Sequence, residues 1–201
     1  MIISTEREGA EARLVAALRA TFDASVMNFG SYNLLYAENL LGEPIGRGAG
    51  AASEQTGDET SKGAEREHRE RGARGLSVQE QVSQARHLLV GYRREPVEMV
   101  LCPVGLQEAL PRAAGADGHA EPSVPLPVNL TNLAGMAVEG TRVELVLSTG
   151  HRVRLEVQPA VSFTGLDGTA SAGTALNQHR DVEDFYAFVD HFMDRVEDIG
   201  S

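Results

Sequence analysis

The residues of this chain that can bind a metal or transfer a proton are scattered and form no known motif. None of the histidines lies in an HExxH pattern or at another close ligand spacing: His68, His87, His119, His151, His179 and His191. His191 and Asp194 are three residues apart near the C-terminus. They could share an ion with His179 or Asp190, but two ligands on an acidic, solvated helix face do not make a site. The sequence therefore predicts that the protein needs no metal.

Nucleophilic and phosphate-binding motifs are missing as well. Cys102 is the only cysteine, and its apolar neighbours indicate a buried thiol rather than a nucleophile. The run 168–174 has the glycine spacing of a phosphate-binding loop, but it lacks the lysine that such a loop places before Thr174. The sequence also contains no G-x-S-x-G motif. We therefore predict that the protein is not an enzyme and holds no cofactor. An enzyme whose active-site residues are dispersed along the sequence ranks third, after the two functions given at the end of this section.

One cluster of basic residues lies near aromatic residues. It consists of Arg86, Arg93 and Arg94, beside His87 and Tyr92. Such a cluster can bind an anion or the acidic face of another element. In an acidic protein, salt bridges within the chain or between subunits are the simpler account.

The last predicted helix, over 181–199, gives the strongest packing signal. Its large apolar residues recur three and four apart and form one stripe: Val182, Phe185, Val189, Phe192, Val196 and Ile199, widened by Tyr186, Phe188 and Met193. The opposite side of the helix is acidic. Because such a stripe must be buried, it packs against the chain's own sheet or against a partner. We assign Phe188 and Phe192, with the three arginines, as the interaction residues.

Composition excludes several classes of partner. The 201 residues carry a formal charge of −11, with 29 acidic and 18 basic side chains. General nucleic-acid and anionic-membrane binders have the opposite balance, so we predict neither partner. The N-terminus lacks the features of a signal peptide, and no apolar run approaches the roughly 20 residues of a membrane span. These patterns predict a cytoplasmic protein, and a single lysine, Lys62, among the basic residues suggests a high-GC bacterial genome.

The predicted elements alternate between helix and strand patterns. A helix over 5–22, capped by Thr5, precedes a strand around 32–36. Ser77 and Glu80 have the spacing of a capping box before a short helix. Strands over 87–93 and 97–104 follow, unless the helix continues to residue 90 with Gly91 as its C-cap. A hairpin over 142–157 is the clearest strand pair, 129–138 is a short helix or an irregular strand, and 164–175 is a flexible connector.

This order predicts an α+β fold in one domain over 1–201. A mainly antiparallel sheet of about five strands is flanked by N- and C-terminal helices, which we expect to cover one face. The order loosely resembles the folds of bacterial secretion chaperones. The resemblance is one of topology alone and implies no site or activity.

A long segment interrupts this domain. Residues 42–75 contain one large apolar side chain, Ile45. Such a composition cannot bury enough surface to offset the entropy of ordering the chain. We predict a disordered insertion, either a solvated linker or a partner-binding segment.

Two functions fit these patterns. The first is a non-enzymatic protein-interaction domain, adaptor or chaperone-like, that forms a homodimer; the apolar stripes of its end helices and the insertion favour this function. The second is a small-ligand-binding or sensing domain, with a pocket lined by Tyr32, Tyr36, Phe185 and Phe192.

Limited proteolysis tests the predicted insertion. The first cuts should fall at the arginines between residues 66 and 74, since a protease needs locally unfolded chain. The fragments should stay associated on a sizing column. Earlier cleavage within 142–157 would contradict the prediction.

Overall fold

The computed structural model describes residues 2–27, 29–42, 76–106, 123–163 and 174–200. Their helices and strands are α1 (Ile2–Ser25), β1 (Asn33–Asn39), α2 (Val78–Gln84), β2 (His87–Arg94), β3 (Val97–Pro103), β4 (Leu126–Asn129), β5 (Leu133–Glu139), β6 (Arg142–Leu147), β7 (Arg152–Glu156), β8 (Ala160–Phe163), β9 (Thr174–Asn177) and α3 (His179–Gly200). A 3-10 turn at Phe29–Ser31 precedes β1. Of the predicted disordered insertion, residues 43–75 lie outside this description.

Seven strands form one antiparallel sheet in the order β4-β3-β2-β1-β7-β6-β5. A separate antiparallel pair consists of β8 and β9. The α+β class, the antiparallel sheet and the two terminal helices are therefore confirmed. The predicted number of about five strands was too low because the two edge strands carry weak signals: Pro125 and Pro127 interrupt the pattern at β4, and β5 is rich in alanine and glycine. Residues 164–173 of the predicted flexible connector lie outside this description, and strand β9 begins at Thr174, within its predicted end.

The sheet separates two apolar cores. One core contains the buried residues of α2 and α3 with one face of the sheet. The other contains α1, β8 and β9 with the opposite face of β1, β2 and β3. The expectation that both terminal helices cover one face was thus wrong. Consecutive residues of the inner strands are apolar and buried, such as Leu35 and Tyr36, so each face needs its own cover.

The apolar stripe of the last helix is buried against the chain's own sheet. Phe185, Phe188 and Phe192 have no exposed surface. The rings of Phe185 and Phe188 contact Tyr92 of β2, with centroids 5.3 and 5.1 Å away. Helix α3 begins at His179, before the predicted cap Asp181, and the Val182 N–H donates to the Gln178 carbonyl.

Helix α1 is longer than predicted at both ends. It begins at Ile2, so Thr5 lies inside the helix and is not its cap. At the other end the Ser25 hydroxyl donates to the Thr21 carbonyl, and the helix continues past residue 22. The side chain of Phe22 packs on β2 at Gly91, where a Cβ atom would lie 2.3 Å from the ring. Gly91 therefore permits close packing of α1 on β2 and does not cap a helix.

Helix α2 confirms the predicted capping box of Ser77 and Glu80. The helix ends at Gln84, and the alternative in which it continues to residue 90 was wrong. Asn39 of β1, which is 1% exposed, stabilises this end of the helix. Its amide nitrogen donates to the carbonyls of Ser83 and Ala85 at 2.9 and 3.0 Å, so it satisfies acceptors that a longer helix would use internally.

Both predicted hairpins are present. Strands β2 and β3 pair around a turn that contains a cis Glu95–Pro96 peptide bond. Strands β6 and β7 pair around a turn in which Gly150 has a φ of 86°, the left-handed region that favours glycine. Their polar face carries ion pairs from Glu144 to Arg152 and Arg154. The side chains of this face are exposed or half-buried, and within the described part of the chain no residue of β5, β6 or β7 belongs to the α1 core.

Truncation of the α3 stripe tests this packing. Phe192→Ala should lower the free energy of unfolding by about 3–5 kcal/mol, since it removes a fully buried ring. Asp194→Ala, on the exposed side of the same helix, is the matched control and should change it by at most about 0.5 kcal/mol. Thermal and urea melts measure both, and equal losses for the two variants would mean that the buried face is wrongly assigned.

Candidate functional site

Among the described strands, β1 has a partner along its length on one side only. On that side β2 pairs with it from Asn33 to Glu38. On the other side β7 meets it at Glu38 and Asn39 alone. Hydrogen bonds alternate along an antiparallel strand, and the Leu40 N–H donates to the Arg154 carbonyl on the β7 side. Even-numbered residues of β1 therefore direct their backbone groups away from β2.

A side chain takes the place of the missing strand beside Tyr36. The Tyr36 N–H donates to Gln178 Oε1 at 2.9 Å, and Gln178 Nε2 donates to the Tyr36 carbonyl at 2.8 Å. This two-point pattern is the one a neighbouring strand would make. Gln178 Nε2 also donates to the Gln158 carbonyl at 2.8 Å. Gln178 is 3% exposed, and its single amide joins β1, the segment after β7 and the start of α3.

Leu34, two residues before Tyr36 on β1, has no such partner. Its N–H and C=O point to the same side as those of Tyr36, and among the described residues no strand or side chain bonds them there. A cavity of about 310 Å³ lies at this position. Its walls are Val15, Leu18 and Arg19 of α1, Tyr32 to Tyr36 of β1 and its approach, Leu89 of β2, and Leu176, Asn177, Gln178 and Asp181. The open edge of β1 thus forms part of a concave site.

Two charged side chains line this cavity. Arg19 pairs with Asp23 of α1, 3.2 Å from Nε to Oδ1. Burial, followed by the nearby Asp184 carboxylate, raises the pKa of Asp181. No ion pair links Asp181 to a cation of the described residues. Asp181 is exposed and lies in the first turn of α3, where its own backbone N–H offsets part of this rise. It therefore gives the cavity a carboxylate that is not paired with a side-chain cation of the described residues.

The tyrosines at the cavity are held by the sheet. The Tyr32 hydroxyl donates to Glu98 at 2.6 Å, and burial together with that bond raises its pKa to about 12. The Tyr36 hydroxyl lies 2.7 Å from Nδ1 of His87, and burial raises the pKa of Tyr36 and lowers that of His87. Both phenols stay neutral near pH 7, so they present apolar faces and fixed hydroxyls and no charge.

The pocket predicted from the four aromatic residues is not formed as a unit. Tyr32 and Tyr36 line the cavity, whereas Phe185 and Phe192 lie in the other core, across the sheet. The predicted interaction residues Phe188 and Phe192 have no exposed surface. Their role in a protein contact stays a prediction, and in this conformation they act as core residues.

The three predicted arginines do not form one patch. Arg94 pairs with Asp184 of α3, 2.9 Å from NH2 to Oδ1. Arg93 lies on the opposite face, 2.6 Å from Glu98 and over the Tyr32 ring at 4.6 Å, because adjacent strand residues alternate. Arg86 lies 3.7 Å from a Glu38 oxygen. Each arginine is thus paired within the chain.

An open groove of about 700 Å³ lies at the β2–β3 turn and α3. Its lining includes Arg93 and Arg94, which lie on opposite faces of the sheet, and His191 and Arg195 of α3. Arg195 pairs with Asp198, and the groove itself contains the Glu95 and Glu98 carboxylates. Because the groove's arginines are matched by carboxylates, the arrangement does not favour an anion site.

Cys102 is buried, as predicted, and its thiol lies 3.0 Å from the Ser123 hydroxyl. Burial raises the pKa of this thiol, which disfavours the nucleophilic thiolate. Within the described residues no three metal-ligating side chains gather. The described helices include none long and apolar enough to cross a membrane.

No protein-family model, curated protein or solved structure matches this chain. Sequence patterns did not indicate Gln178 because a lone glutamine before a helix has no signature. The one signal that pointed toward this site was the alternation of Tyr32 and Tyr36 with other residues at the start of β1.

Substitution of Gln178 tests its role as a substitute for a strand. Gln178→Ala leaves the Tyr36 N–H and two carbonyls without partners, so it should lower the free energy of unfolding by about 2–4 kcal/mol. Gln158→Ala is the matched control, because Gln158 contributes its backbone carbonyl to this junction and its side chain is exposed. It should cost at most about 0.5 kcal/mol. Urea unfolding curves decide the matter, and a near-neutral Gln178→Ala would contradict the assignment.

Proposed function

We propose that this chain is a non-enzymatic protein-interaction domain, adaptor or chaperone-like in role, that works as a homodimer. The observation that carries the proposal is the outer edge of β5 (Leu133–Glu139). Strand β5 is an end of the seven-stranded sheet, and among the described residues only β6 pairs with it. An open sheet edge is a template for pairing with another chain.

The bonding pattern identifies the backbone groups that face outward. The Leu147 N–H donates to His151, toward β7, whereas the Ser148 N–H donates to Asn132, toward β5. Because bonds alternate, Gly135, Ala137 and Glu139 of β5 bond to β6. The N–H and C=O groups of Met136 and Val138 therefore point away from the sheet.

The two edges of the sheet differ in their protection. At β4, Pro127 has no N–H, and proline is a common means of blocking an edge. Residues 133–138 of β5 contain neither proline nor charge. Val138 is 39% exposed, and Met136 packs partly on the core. This difference favours β5 as the edge that a second chain covers.

A second copy is the partner we favour for this edge. Two β5 strands related by a two-fold axis run antiparallel, as the rest of the sheet does, and extend it through both chains. The uncharged stretch 133–138 allows this contact between two copies that each carry a charge of −11. A heterologous strand from another protein would use the same groups.

Val138→Pro tests the proposal without removing a bond to β6. The native protein should have twice the 21.5 kDa chain mass by light scattering at micromolar concentration. Val138→Pro removes an outward N–H, so the dimer dissociation constant should rise at least about tenfold, the equivalent of about 1.4 kcal/mol. Val138→Thr keeps the N–H and the β-branched shape and should stay dimeric. A monomeric native protein, or a proline variant with an unchanged dissociation constant, would contradict the β5 dimer.

The cavity beside β1 favours a second candidate function, a ligand-binding or sensing domain. A volume of about 310 Å³ is at the lower end of the range of small-ligand sites, roughly 300–1,000 Å³. This function does not exclude dimer formation, because the site lies on β1 and not on β5.

A further inference from the structure

We propose that the open edge of β1 binds an extended peptide, which pairs its backbone with Leu34 and directs a basic side chain toward Asp181. This inference rests on the ligand-binding candidate above and names its ligand class. It is independent of the β5 edge, where the second copy is expected.

The backbone of β1 indicates an amide ligand. The register directs the Leu34 N–H and C=O, a donor and an acceptor, away from β2, and Leu34 is one of the residues that line the cavity. Two residues along, Gln178 satisfies the same pair of groups on Tyr36 with its carboxamide. The protein thus already contains one amide bound at this edge. A peptide bond presents the same two functions as that carboxamide, about 7 Å away along the strand.

The walls of the cavity indicate an apolar side chain on the ligand. Val15, Leu18 and Leu176 contribute aliphatic surface, and Tyr32 contributes an aromatic ring. Val15 is 47% exposed, so part of this apolar lining is open to solvent, and an apolar lining is typical of ligand sites. Main-chain bonds with a pocket for alternate side chains are the ordinary mode by which a sheet edge recognises a peptide. The short length of open edge and the small volume suit a segment of a few residues.

The charges indicate a basic residue beside the apolar one. Arg19 is neutralised by Asp23, so Asp181 is the charge of the cavity that a ligand can compensate. The neighbouring carboxylate of Asp184 already has the Arg94 guanidinium and the Tyr92 hydroxyl as partners. The overall charge of −11 also attracts a cationic peptide at low ionic strength.

The test uses the full chain, labelled with nitrogen-15, and the capped pentapeptide acetyl-Lys-Val-Leu-Val-Lys-amide. Titration should produce saturable shifts of the Leu34, Tyr36 and Gln178 signals. Three further peptides, each N-methylated at one of the central residues, lose one backbone donor. At least one should bind about tenfold more weakly, because one backbone bond is removed. Asp181→Asn should weaken binding of the parent peptide at least about threefold at low salt, whereas the matched change Asp194→Asn, on the exposed side of α3, should leave it unchanged.

Three results would overturn the inference. The first is no saturable shift at millimolar peptide, and the second is saturation with shifts confined to residues outside the cavity. The third is that all three N-methylated peptides bind as tightly as the parent pentapeptide. N-acetyl-leucinamide separates this inference from the ligand-binding function. If that single-residue amide binds at the cavity as tightly as the pentapeptide, the peptide proposal fails while the site stands as one for a small amide.

Discussion

The junction between the two halves of the sheet depends on two side-chain amides. Strands β1 and β7 pair over only two residues, Glu38 and Asn39. The Asn39 amide reaches the end of α2 and accepts the Arg154 N–H at 3.3 Å. The Gln178 amide continues the pairing where β7 has diverged. A buried backbone group without a partner costs about 1–3 kcal/mol, so these two amides are what allows β1 to lie at the centre of the fold while one of its edges is incomplete.

That incomplete edge follows from how the faces of the sheet are covered. On one face α3 and α2 cover the strands almost entirely with apolar contacts. On the other face, among the described elements, α1 and the β8–β9 pair cover the half that contains β1, β2 and β3. Gln178 lies where the cover changes from β9 to α3. The β1 cavity therefore results from the way the helices cover the sheet. It occupies the space between α1, the open edge of β1 and the first turn of α3.

Charge has a supporting role in this molecule. The arginines that stand out in the sequence each meet a carboxylate of the same chain, and the most favourable geometry, Arg93 with Glu98, also lies over the Tyr32 ring. These pairs are partly exposed, so each contributes little to stability, typically up to about 1 kcal/mol. These pairs neutralise the charge of the arginines locally on the surface of a protein whose net charge is negative. Our proposals of contact with another chain therefore rest on sheet edges and not on charged patches.

Periodicity and local chemistry determined several parts of this protein from the sequence alone. The α3 stripe, the Ser77–Glu80 capping box, the hairpin of β6 and β7, and the burial of Cys102 were all predicted. Each depends on residues close in sequence or on apolar character that burial must satisfy. The class and the antiparallel sheet followed from the same signals.

Tertiary structure alone decided which elements meet. Helix α1 covers the opposite face from α3 because the inner strands bury side chains on both faces, and no local pattern says which helix takes which face. Strands β4, β5 and β9 are short or weakly patterned, so their pairing depends on neighbours far away in sequence. Arg93 and Arg94, adjacent in sequence, lie on opposite faces because a strand alternates. The β1 cavity depends on a contact between Tyr36 and Gln178, 142 residues apart, and a bond across that distance exists only once the sheet and both helices are in place.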